Sequence, residues 1–127
     1  MGMYTELIFG ASLKRDTPDV VIDSLQYMLA REPKPTGFPF ESGRYDWFFH
    51  RSSHLFGVCQ SVSKMWFDHI GGNWILSVRC SIKNYSNEIE SFLGWISHYI
   101  ESGSGSRDMY AIVTYEEQDE PTIYYLS

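Results

Sequence analysis

The sequence predicts an α+β fold: a mainly antiparallel sheet with two amphipathic helices packed on one face, in the order β-α-β-β-β-α-β-β, forming one domain over residues 1–127. Three observations carry this. Residues 109–127 read as two β-runs joined by an acidic turn that contains Pro121. The segment before them repeats apolar residues at the period of a helix. Residues 74–83 alternate at period two, with Trp74, Leu76, Val78, Cys80 and Ile82 set against Ile75, Ser77, Arg79, Ser81 and Lys83. A length of 127 residues suits a single core, and 43% apolar against 20% charged residues is enough apolar material to bury.

The first strand is expected over residues 4–13, where Leu7, Phe9, Ala11 and Leu13 alternate with Glu6, Gly10 and Ser12 while Ile8 breaks the polar row. Thr17 then suits a helix cap, Pro18 the first helical position and Asp19 the positive end of the helix dipole. The stripe Val21, Leu25 and Met28, flanked by Ile22 and Leu29, predicts a helix ending near Arg31, ahead of Pro33 and Pro35. Residues 33–53 are irregular and aromatic, and residues 47–50 suggest a short strand. Aromatics on such a loop either tuck beneath it to close the core or present a contact patch.

Two strands are expected at residues 54–61 and 74–83, the second entered from the turn Gly71-Gly72-Asn73 by a hairpin partner at residues 64–69. The polar row Ser77, Arg79, Ser81 and Lys83 predicts one solvated sheet face. Ser86 suits the cap of a second helix over residues 87–102, striped by Ile89, Leu93, Ile96 and Ile100 and widened by Phe92 and Tyr99. Ser102-Gly103-Ser104-Gly105-Ser106 ends it, and the last hairpin pairs residues 109–115 with 122–126.

A formal charge of −6 repels phosphate backbones and anionic membranes, which argues against duplex nucleic acid as a partner. A local patch for one small anion remains available among Lys14, Arg15, Arg44, Arg51 and Arg79. Cys59 and Cys80 sit in apparent strands at no metal or redox spacing and read as buried free thiols, a disulfide between neighbouring strands being the alternative, in a cytoplasmic protein without a membrane span. Neither a cofactor nor a metal is expected.

Catalytic readings are weak. His50 and His54 are four residues apart but lie in extended or looped sequence without a third ligand. Asp68-His69 would need Ser61 or Ser63 as a nucleophile, yet no nucleophile elbow is present. Glu116-Glu117 and Asp119-Glu120 fall in a hairpin turn, where like charges are solvated and blunt an edge. The glycine-serine run at residues 102–106 leaves a helix C-terminus, the wrong end of the dipole for a phosphate.

The unusual entry is an aromatic content of 17%, with nine Tyr, eight Phe and four Trp. It makes Trp47, Phe48, Arg51, Trp66, Trp74 and Arg79 the candidate binding residues, either as anchors for a protein partner or as stacking platforms for a planar, nucleotide-like ligand. The competing reading is a core of aromatics with snorkelling arginines. A non-enzymatic binding module for a protein partner is the leading expectation. A small-ligand module stands second and a hydrolase using Asp68 and His69 third. The last strand, if at a sheet edge, offers a route to a homodimer.

Residues 4–14 (YTELIFGASLK), 16–23 (DTPDVVID) and 109–117 (MYAIVTYEE) resemble small uncharacterised proteins of tailed phages and prophages. The resemblance implies a genomic setting and no residue roles. It implies an accessory protein, of a kind that sometimes binds or inhibits a host defence component.

Overall fold

The computed structural model describes residues 4–30, 33–41, 43–51, 63–102 and 108–126. Its strands are β1 (Thr5–Ser12), β2 (Lys64–Asp68), β3 (Asn73–Ile82), β4 (Asp108–Tyr115) and β5 (Thr122–Leu126), and its helices are α1 (Asp19–Ala30) and α2 (Glu88–Ile96). The expected α+β order is found, except that the strand expected at residues 54–61 lies outside the described residues. Among the described residues all pairings are antiparallel, in the order β2-β3-β1-β4-β5, which puts the last strand at an edge of this sheet and β1 at its centre.

Period two decides which side chains enter the core, because residues directly opposite each other in a ladder share a face. Leu7 faces Cys80 and Val113, and Phe9 faces Val78 and Ala111; all six are buried. Opposite strand positions carry Ile8, Gly10, Arg79, Ile112 and Ile123 to the other face. Between Met109 and Ala111 the register shifts by one residue, and the extra Tyr110 is buried, its ring centroid 6.1 Å from that of Phe9.

The helix boundaries differ from expectation for local reasons. The Thr17 hydroxyl donates backward to the Lys14 carbonyl at 2.5 Å, closing the turn ahead of α1. The Pro18 carbonyl starts α1 by accepting from the Val21 and Ile22 N–H groups. In α2 the cap position falls on Asn87 rather than Ser86; Asn84 Oδ1 accepts from the Ile89 N–H at 3.0 Å, and Asn87 stands at φ 57°, a region that Asn tolerates. That helix stops at Ile96 rather than running to residue 102. After a 3-10 turn at Ser97–Tyr99 the chain pairs with the end of β1, Lys14 N–H donating to Tyr99 O and Glu101 N–H to Ser12 O. Ile100 therefore keeps its place in the apolar stripe, buried, by bridging to Leu13 in extended form.

The aromatic loop also differs from expectation: Phe48–His50 is a 3-10 turn, not a strand. Tyr45, Phe48 and Phe49 tuck beneath the loop and are buried, while Trp47, at φ 56°, turns outward. A left-handed residue with a bulky side chain reverses the chain here and splits neighbouring aromatics between core and surface. Phe92 of α2 meets Phe9 of the sheet at 5.6 Å, Phe49 at 5.2 Å and Phe48 at 5.8 Å, so one ring joins sheet, helix and loop. Phe40 stacks on Tyr45 at 4.1 Å and meets Trp95 edge-on. Much of the aromatic surplus is thus core.

Burial raises two groups of the core. Tyr45 is pushed up to about 12, chiefly by desolvation, and its hydroxyl donates to the Glu88 carbonyl at 3.0 Å. Cys80 is a free thiol, fully buried, and is likewise pushed up to about 12 by desolvation, which keeps it in the unreactive thiol form. Cys59 lies outside the described residues. Among the described residues no helix is long and apolar enough to cross a membrane.

Candidate functional site

The core lies on the face where α2 packs, its Phe92 against Phe9. The outward face of the sheet is the one expected to be solvated, and β3 does place Ser77 and Arg79 there. The strands that the sequence left less resolved make it apolar instead. Ile8, Ile112 and Ile123 stand side by side on β1, β4 and β5, in the same row as Arg79. Further along the face, Trp66 sits opposite Ile75, and Met109 opposite Tyr125. Trp66 is 40% exposed, Ile123 and Tyr125 42%, and Met109 54%.

Gly10 lies between these two sides of the face. It is exposed, and a Cβ built on it would meet nothing within 4 Å. The central strand therefore has a gap in its outward row, beside Ser77 of β3 and next to Ile8 along its own strand. At one end of the face Arg79 Nη2 pairs with Glu6 Oε2 at 3.0 Å, diagonally across the β1–β3 ladder. Glu6 is 3% exposed and Arg79 14%, so this is a largely buried pair. Lys64 stands on the edge strand in the row of Ser77 and Gly10, its ammonium 4.9 Å from the Trp66 ring.

The six residues singled out from the sequence do not come together. Phe48 is fully buried and belongs to the core, which removes it as a contact residue. Trp74 faces inward, because the hairpin register pairs it with Phe67, whereas Trp66 faces outward opposite Ile75. Trp47 is surface-exposed against His50. Arg51 donates to the Asp46 carbonyl at 2.9 Å, at the end of the aromatic loop. Trp66 and Arg79 alone share the outward face. Period-two alternation places Ile8 and Ile112 there as well. In the sequence Ile8 stands out only as an interruption of a polar row.

The hydrolase candidates are separated. Asp68 Oδ1 accepts from the Ile70 N–H at 3.0 Å, which organises the turn between β2 and β3. Ser63 is buried; its hydroxyl donates to Phe49 O at 2.7 Å and accepts from Arg79 N–H at 3.0 Å, tying the aromatic loop to the sheet. Ser63 and His69 stand at opposite ends of β2, roughly 15 Å or more apart along an extended strand. Ser61 and His54 lie outside the described residues. Glu116 Oε1 accepts from the Tyr4 N–H at 2.9 Å, and the acidic turn is exposed. No group of three or more metal-ligating side chains gathers among the described residues.

No protein-family model, curated protein or solved structure matches the chain.

Proposed function

We propose that the chain is a non-enzymatic binding module that docks a protein partner on the outward face of its sheet. The observation that carries this reading is the apolar row Ile8, Ile112 and Ile123, bordered by Trp66, Ile75 and Met109 and open at Gly10. Isolated exposed apolar residues need no explanation, but a contiguous set on one rigid face does. Aromatic and Met side chains are the types enriched where proteins meet.

The partner's chemistry follows from the setting. An apolar ridge would fill the gap at Gly10. Basic residues beside that ridge would face a chain of net charge −6 whose acidic turn, Glu116, Glu117, Asp119 and Glu120, leaves the end of β4. The free thiol of Cys80 supports a reducing, cytoplasmic setting. The accessory role toward a host defence component is part of the same proposal, and the partner's identity reads it out.

The test is site-specific photo-crosslinking in the native cell, with the crosslinkable residue in place of Ile123 on the sheet face or of Val20, an exposed position on α1. A discrete adduct with one protein from position 123 and none from position 20 supports the proposal. An adduct from position 20 alone places the contact elsewhere, and an adduct of twice the chain's mass from position 123 assigns the face to a second copy of the chain.

A further inference from the structure

A second site lies where the start of β1 meets the end of β3. Tyr4, Arg44, Arg51, Ile82 and Lys83 line a cavity of about 290 Å3. Three cations from three separate segments thus border one small space in a chain that is acidic as a whole.

Each cation is held there by backbone or ring contacts. Arg44 Nη2 donates to the Lys83 carbonyl, and its guanidinium lies 5.2 Å from the Tyr85 ring. Its Nε stands 2.7 Å from Glu88 Oε2, so buried Glu88 fixes and neutralises this one cation. Arg51 is placed through both its side chain and its backbone: Nη2 donates to Asp46 O, and the Arg51 carbonyl accepts from Ser81 N–H at 2.7 Å, two residues before Lys83. The Lys83 ammonium lies 5.4 Å from the Tyr4 ring. Among the described residues no carboxylate pairs with Arg51 or Lys83. Glu116 stands nearby, committed to the Tyr4 backbone.

Like charges drawn around a cavity repel one another, and the arrangement becomes favourable when an anion enters between them. The Arg51 fork keeps donors beyond the one used on Asp46, and the Lys83 ammonium adds a compact charge. The volume lies at the small end for ligand sites. Buried Ile82 forms an apolar wall, and the Tyr4 ring offers a flat surface.

We infer that this cavity binds a small phosphorylated molecule, its phosphate held between Arg51 and Lys83 with Arg44 behind them. Of the six candidate binding residues read from the sequence, Arg51 is the one that lines this cavity, and Arg44 joins it from the cations available there for a small anion. The site is independent of the docking face, since it lies past the end of β3 that is remote from Gly10, Trp66 and Ile75.

Isothermal titration of the full chain with inorganic phosphate, pyrophosphate and a nucleoside monophosphate tests it. Binding of at least one probe is expected, weakened about tenfold or more in Arg51→Gln or Lys83→Gln and unchanged in Arg15→Gln, whose Nε donates to Gly71 O at the opposite end of the sheet. In the unaltered protein the same probe should shift the side-chain NMR resonances of Arg51 and Lys83, which keeps the inference testable if a variant fails to fold. No binding of any probe up to about 10 mM, beyond the millimolar range of weak sites, overturns it. Binding that both variants leave intact and that moves neither side-chain resonance overturns it as well.

Discussion

Phe92→Ala is expected to remove about 3–5 kcal/mol of folding stability, the usual cost of truncating a fully buried Phe where the surroundings relax only in part. Phe92 is expected to lie at the upper end, because its neighbours belong to different elements. Phe9 comes from the central strand, Phe48 and Phe49 from the loop, and Trp95 from the next turn of its own helix. A void there cannot close by shifting one element without opening a gap at another. Phe92→Leu should recover roughly half of the loss, since a Leu fills much of the space. Urea unfolding checks both: the midpoint should fall by on the order of 2 M for the Ala variant at an unchanged slope. A loss below about 1 kcal/mol would mean that the ring does not join sheet, helix and loop.

Removing one partner of the buried ion pair on the sheet face is the second large effect. Glu6→Ala should cost about 3 kcal/mol, because Arg79, 14% exposed, would keep its charge in a place that water reaches poorly. The pair need not stabilise the fold against apolar residues of similar volume, since desolvation offsets much of its attraction. Glu6→Leu with Arg79→Met is therefore expected to regain most of the stability lost in the single variant. Chemical denaturation of Glu6→Leu, Arg79→Met and the double variant forms the cycle. Losses that simply add would show that the two side chains are not coupled.

Much of this architecture was legible in the sequence because it rests on period. Trp74 to Lys83 alternates cleanly, and β3 covers Asn73–Ile82. The stripe Ile89, Leu93, Ile96 and Ile100 is buried in full. The end of α2 was not legible, because competition from the backbone of β1 ends the helix, and such competition leaves no trace in the local apolar pattern. The aromatic loop had two readings, and the left-handed turn at Trp47 settles it by sending Phe48 and Phe49 inward.

The sites were less legible than the fold. Trp66 and Trp74 look equivalent in the sequence, and only the hairpin register turns one outward and the other inward. The isoleucine row depends on ladders between β1, β4 and β5, strands distant in sequence. Lys83 read as the last member of a solvated row. It joins Arg44 and Arg51 only because Arg44 reaches its carbonyl and the Arg51 carbonyl reaches Ser81. Convergence of that kind is a property of tertiary structure.

The docking face is tested most directly at Gly10. Gly10→Arg places a long charged side chain in the gap, and the fold should accept it because Gly10 is exposed, needs no positive φ and has open space at its Cβ position. Thermal stability should hold or rise slightly, as glycine weakens a strand interior by about 0.5–1 kcal/mol. The measurement is the affinity of the crosslinked partner for the unaltered and Gly10→Arg chains, by titration of the purified proteins. At least a tenfold loss with unchanged melting temperature is the result expected of a partner seated on this face. An affinity that Gly10→Arg leaves unchanged would contradict docking there.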